Sequence, residues 1–250
     1  MPPLGLHMTV ARDLARELQE PAIESERGAY YLGATTPDIR IITRWDRART
    51  HFFDLNEFEE QNGVHRLFEQ EPALRDAASL NEATAAFVAG YISHLVMDER
   101  YICEIYRPVF GEHSELGGDV RANIMDRVLQ FELDRRDRED EEKVDEIKTA
   151  LAESAVEVTV GFIARDQLLE WRKVSVDVLS YPPTWDRFHR LAGRYLAAAG
   201  IEGDEQMRQF MDDVPALLDR TIECVGTERI RDYLAGASAE ARRRMKEYLS

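Results

Sequence analysis

The stretch Ala83–Cys103, ATAAFVAGYISHLVMDERYIC, limits the folds open to this chain more than any other. Apart from His94, when protonated, it carries no charge from Ala83 to Met97, and it then reaches Asp98. It falls short of the about 20 apolar residues that span a bilayer, and Thr84, Ser93 and His94 interrupt it. A helix that is apolar on every side is a buried one, so the pattern predicts a central helix in the core of a soluble protein. Asn81 is the expected N-cap with Glu82 in the first turn, and the helix should run to about Pro108. His94 and Asp98 then stand one turn apart on the same face, and Gly90, one turn earlier, should leave open space beside them. An imidazole and a carboxylate buried without partners are costly, which leaves two solutions: a metal ion held by both, or a hydrogen-bonded pair.

The rest of the chain reads as helical too, and the expected fold class is all-α, a single multi-helix domain over residues 1–250 around the buried helix. Apolar residues at helical spacing predict helices over Met8–Glu20, with Pro21 as the stop and His7 just before the first turn, and over Ile23–Leu32. GATTPDI then places Asp38 on a loop, and the segment to GVHRLF reads as short helices and ordered loops. Beyond a glycine-rich loop at 111–119, helices are expected over Val120–Arg136, around Val144–Ala155, and over Gln167–Leu179, Thr184–Ala199 and Glu205–Val225. A kink is allowed at Pro215, and Ser238 is expected to cap a last helix to Leu249. VEVTVGF at Val156–Phe162 is ambiguous, since β-branched residues favour strands, but helix is the preferred assignment. Trp185, Phe188, Leu191 and Tyr195 have core spacing, RRDREDEEK reads as a solvated charge run, and Tyr30, Tyr31 and Tyr91 as packing residues.

With 48 acidic against 32 basic residues the formal charge is −16, which argues against a nucleic-acid backbone or an anionic membrane surface as partner. Two distant cysteines, Cys103 and Cys224, suit neither a disulfide framework nor a thiolate zinc site, and buried thiols are expected. The start, MPPLGLHMTV, lacks a basic segment followed by an apolar one, so a cytoplasmic location is the expectation, with no transmembrane segment.

Four of the six histidines, His7, His51, His65 and His94, fall within the first 94 residues. His7, Asp38 and His51 lie where they can converge on the His94 and Asp98 face, whereas His65 and His189 read as surface or packing residues. Imidazole and carboxylate donors suit zinc, and also iron or manganese, better than calcium or magnesium.

The order His7, Pro37-Asp38, His51-Phe52, then Gly90-Tyr91 with His94-x-x-x-Asp98 resembles the zinc-dependent phospholipase C family, an all-α fold shared more loosely with zinc-dependent single-strand nucleases. The resemblance covers about residues 5–108, so residues 1–110 carry the expected site and 111–250 form a helical remainder. It implies a first metal held by Asp38, His51, His94 and Asp98 and a second held by His7 and Asp98. Secreted members of that family also use the mature N-terminal residue as a ligand, whereas here six residues precede His7. Their further metal takes two histidines and a glutamate downstream; beyond Asp98 this chain has His113 and His189. The expectation is one or two zinc ions, with Glu99, Glu104, His113 and Asp119 as substitutes that do not match the pattern.

The implied activity is hydrolysis of a phosphodiester, in a small phosphoester or a phospholipid, by metal-activated water, with Asp38 orienting or deprotonating that water. A helical metallohydrolase of the His-Asp dipeptide class is disfavoured, because no such dipeptide occurs. A non-catalytic helical protein with a structural metal, or none, is the alternative.

Overall fold

The computed structural model describes residues 2–55, 57–58 and 61–250. They form thirteen α-helices and no strand; the only extended pairing among them is a single bridge between Val160 and Ile163. The organising element is α7 (Glu82–Tyr101), whose Asn81 cap accepts the Thr84 N–H at 2.8 Å, and it is buried from Ala83 to Asp98. Such burial contributes ~1.5–3 kcal/mol for each large apolar side chain. Its main neighbours are α3 (Arg27–Gly33) and α13 (Thr227–Leu249). α1 (Leu4–Leu18) crosses the same core with Met8, Ala11, Leu14 and Ala15 buried.

The α3 and α7 crossing is unusually close because glycines meet backbone there. A Cβ on Gly90 would sit 2.0 Å from the Tyr30 carbonyl oxygen, and one on Gly33 would sit 1.9 Å from that of Phe87. The space expected beside Gly90 is therefore filled by the backbone of α3. The second half of the chain, α8 (Val120–Asp137), α11 (Phe188–Ala198) and α12 (Asp204–Val225), packs round a second apolar cluster. That cluster includes Leu6, Met97 and Tyr101 from the first half.

Several expectations are corrected. α1 starts at Leu4, so His7 lies inside it, and Pro21 opens α2 (Pro21–Ser25), where a missing N–H costs nothing, instead of stopping a helix. Asp38 sits in a 3-10 turn, Thr36–Ile39, between α3 and α4 (Arg40–Thr43). After Tyr101 the chain widens into a π-helix, Ile102–Phe110, which accommodates Pro108. Residues 154–164 are not helical: after α9 (Glu141–Glu153), Val156 adopts a positive φ of 54° and the chain turns at 161–162, closing the Val160 and Ile163 bridge, before α10 (Arg165–Leu179). Ser238 lies mid-helix, because α13 begins just after Gly226, whose φ of 86° suits glycine. Both cysteines are exposed, and of the four residues given core spacing only Phe188 is buried. Among the described residues no helix is long and apolar enough to cross a membrane.

Candidate metal centre

Five side chains converge beside the middle of α7. His94 and Asp98 come from α7 itself, His7 from α1, Asp38 from the 3-10 turn and His51 from α5 (Ala48–His51). The ligand atoms of His7, His94 and Asp98 lie within 4.8 Å of one another, and so do those of Asp38, His51 and His94. Asp98 stands at the join. Its Oδ1 is 3.3 Å from His7 Nε2, and its Oδ2 is 3.3 Å from His51 Nε2 and 3.6 Å from His94 Nε2. His51 Nε2 is also 3.4 Å from Asp38 Oδ1. The His7 and His94 rings stack at 3.7 Å.

The His94 and His51 rings are aimed by their other contacts, whereas His7 Nδ1 has no hydrogen-bond partner. His94 Nδ1 lies 2.8 Å from the Ala34 carbonyl, which can only accept, so Nδ1 carries the proton and Nε2 turns a lone pair inward. The glycine crossing of α3 and α7 brings Ala34 close enough to do this. His51 Nδ1 contacts the Thr50 hydroxyl at 3.2 Å, and that hydroxyl donates to the Arg47 carbonyl, so the imidazole donates to it and again leaves Nε2 bare. Tyr91 of α7 donates to the Thr50 carbonyl and holds this turn on the central helix.

The second half of the chain holds the remaining pieces. Asp134 of α8 accepts the Leu6 N–H at 2.7 Å, meeting one of the unpaired donors in the first turn of α1, and is itself paired with Arg138 at 3.2 Å. This anchors the turn carrying His7. Trp171 of α10 donates to Thr35 Oγ1 at 3.1 Å, just before the turn carrying Asp38.

His7, His51 and His94 each present a buried Nε2 without a hydrogen-bond partner, as does Asp98 with its Oδ1. Buried groups of this kind ordinarily find partners, so four inward-facing orphan atoms on imidazole and carboxylate fit a bound cation of the zinc class. Burial, then the neighbouring His94, pulls His7 down to about 4. For Asp98 burial works the other way, but His94, His51 and His7 outweigh it and hold the carboxyl well below its usual range. Burial would raise Asp38 too, yet His51 and His94 prevail and lower it. Both carboxylates are thus ionised, and His7 is neutral near pH 7, which are the forms that ligate metal.

Arg47 was missing from the sequence-derived set. Its Nη2 donates to Asp98 Oδ2 at 3.0 Å, while Nε and Nη1 are buried without partners. The arginine-rich stretch RIITRWDRART leading into His51 was its one signal. His65 is exposed and pairs with Glu69, and His189 is exposed. Of the downstream substitutes, Asp119 caps α8, Glu104 pairs with Arg100, His113 lies exposed against Phe58, and the Glu99 carboxylate takes the Gly63 N–H. None of them joins the cluster.

No curated protein and no solved structure matches the chain. Residues 6–99 match the family model described as zinc dependent phospholipase C, a span that contains all five clustered residues and ends one residue beyond Asp98. Over residues 6–99 the chain is thus similar to the zinc dependent phospholipase C family, a span of less than half its length.

Proposed function

We propose that the chain is a zinc-dependent phosphoesterase that hydrolyses a phosphodiester, either in a phospholipid or in a smaller phosphoester. The observation that carries this is the convergence of three imidazole Nε2 atoms and two carboxylates, the imidazole nitrogens without hydrogen-bond partners, within a segment of that family. Asp38, His51, His94 and Asp98 would hold one ion and His7 with Asp98 a second; iron or manganese suits the same donors. Zinc supplies Lewis acidity and brings the pKa of water close to neutrality.

The protein's own groups do the rest. Asp38, 14% exposed in its side chain, borders both the cluster and the large cleft outside it, so its carboxylate can orient an incoming water. Its lowered pKa favours orientation over removal of a proton. The Nε–H and Nη1–H of Arg47 are buried without partners, and a small turn of this cleft-lining side chain would offer them to a phosphoryl oxygen. The acidic surface favours a soluble phosphoester over the face of an anionic bilayer.

Elemental analysis of protein purified without chelator, with turnover of bis(p-nitrophenyl) phosphate, tests this. At least one equivalent of zinc, lost together with turnover in the His94→Ala, Asp98→Ala double variant, is the expected result. Bound zinc with no turnover of phosphodiesters would leave a structural metal; a parent that takes up no metal on reconstitution would end the proposal.

A further inference from the structure

A cleft of about 760 Å³ opens outward from Asp38 and Arg47, and its walls reverse the charge of the molecule. Among the described residues, seven arginines and four aspartates line it, with no lysine or glutamate, in a chain where acidic residues outnumber basic ones 48 to 32. Three of the four carboxylates are already committed: Asp38 to the cluster, Asp126 to Tyr101 and Gln130, and Asp134 to Leu6 and Arg138. Asp177 is the exposed one.

Arg187, Arg190 and Arg194 lie together in the wall, and of these Arg194 donates through Nη2 to the Tyr195 hydroxyl. Arg187 ends the turn leading into α11, and Arg190 and Arg194 follow on α11 one turn apart, all three in the cleft wall. None of them, nor Arg40 opposite, forms an ion pair with a described carboxylate. Elsewhere on the surface some arginines are paired, as Arg208 with Glu205 and Arg243 with Glu240 and Glu247, and others such as Arg121 and Arg229 are not; what sets Arg187, Arg190 and Arg194 apart is that they share one cleft wall. Arg187 stacks 3.3 Å above the Tyr181 ring and Arg194 4.4 Å above that of Tyr195, which fixes the guanidinium planes and leaves N–H edges for an oxyanion. Unpaired like charges on one helix face cost stability. A multivalent anion between them would offset that.

We propose that this cleft binds a second phosphate group, so that the ligand of the centre is a phosphoester carrying two or more phosphates. The placement of its first phosphate rests on the phosphoesterase proposal; the binding of the second stands on the arginine row itself. A phosphorylated lipid headgroup and a free polyphosphorylated ester share this chemistry. Nucleic acid fits less well, since the surface beyond the cleft is strongly acidic.

The test uses the full chain stripped of metal by chelator, with inorganic pyrophosphate titrated calorimetrically. Variants are Arg187→Gln, Arg190→Gln, Arg194→Gln combined, the milder Arg190→Gln, Arg194→Gln pair, and Arg208→Gln as a control outside the cleft. Pyrophosphate affinity should fall at least tenfold in the triple variant, less in the pair, and not in the control. The source is then separated with soluble inositol bisphosphate and with phosphatidylcholine vesicles containing phosphatidylinositol bisphosphate. Arginine-dependent binding to the soluble probe supports a free ester, and to the vesicles alone a lipid headgroup. Equal affinity of parent and triple variant for every probe, no binding by the parent, or a stronger arginine-dependent affinity for single-stranded oligonucleotide would overturn the proposal. Pyrophosphate binding of the expected kind in a protein that never turns over a phosphodiester would uphold the anion site while removing the phosphoesterase.

Discussion

Arg47 Nη2 donates to Asp98 Oδ2 at 3.0 Å, which places a guanidinium, 11% exposed in its side chain, against the carboxylate at the centre of the cluster. The pair neutralises part of a buried charge, and it also parks two unpartnered N–H groups where the cleft meets the centre. A fixed cation in a poorly hydrated site is most effective where charge develops during reaction. Arg47→Gln should therefore lower kcat on a phosphodiester about 100-fold while zinc content stays at the parent level, with Arg47→Lys recovering part of it. Steady-state kinetics with elemental analysis check this; unchanged kcat would confine Arg47 to balancing Asp98.

The glycine crossing gives a second prediction. Gly90 and Gly33 each face a carbonyl oxygen at a distance no Cβ can occupy, 2.0 and 1.9 Å, so either alanine variant must push α3 and α7 apart. Separation would also stretch the 2.8 Å bond from His94 to Ala34. Gly90→Ala is expected to cost at least ~3 kcal/mol in urea unfolding and to lower zinc affinity, whereas Ala89→Gly on the same helix should cost only ~1 kcal/mol. Equal costs for the two would show that the helices can separate freely.

What was legible in the sequence follows from which signals are local. The uncharged, mostly apolar run with His94 and Asp98 at its end identified α7 and its Asn81 cap, because one buried helix records its surroundings in its own composition, whereas His7, Asp38 and His51 were legible only through the order of motifs that resembles the family. The Val156–Phe162 segment failed the same test: its valines pack against the core from irregular chain, and spacing alone could not separate that from a buried helix. Gly90 was visible, but whether it left a gap or admitted a backbone depended on α3. Arg47, Asp134 and Trp171 act through contacts 51 to 136 residues away in the chain, and no local pattern announces such contacts.

Asp134 shows how the second half of the chain reaches the site. Its carboxylate takes the Leu6 N–H, one residue before His7, and is buried. Asp134→Ala leaves the Leu6 N–H without its acceptor and Arg138 without its carboxylate, though Arg138 keeps the Val178 and Tyr181 carbonyls, with an expected loss of ~1–3 kcal/mol in stability. If His7 is positioned by this contact, the variant should also lose zinc more readily to a chelator competitor, and Asp134→Asn should be intermediate. A stability loss with zinc affinity unchanged would separate α8 from the site.

The histidines make the metal-free protein sensitive to pH in opposite directions. Burial, reinforced by His94, lowers His7 from 6.5 to about 4, so between those values the unfolded chain holds more protons than the folded one. Stability from this group is therefore present above pH 6.5 and lost as pH falls toward 4, by up to ~3 kcal/mol. His94 is raised, because Asp98 outweighs the burial that would lower it; its stabilisation is present below 6.5 and lost as pH rises through the folded value. The urea midpoint of chelator-treated protein should accordingly be highest near pH 6.5 and fall on both sides. His7→Gln removes only the group that titrates on the acid side, so it should flatten that limb between 6.5 and 4 and leave the alkaline limb in place. An acid limb of unchanged slope in His7→Gln would mean that His7 does not enter the fold as a neutral imidazole.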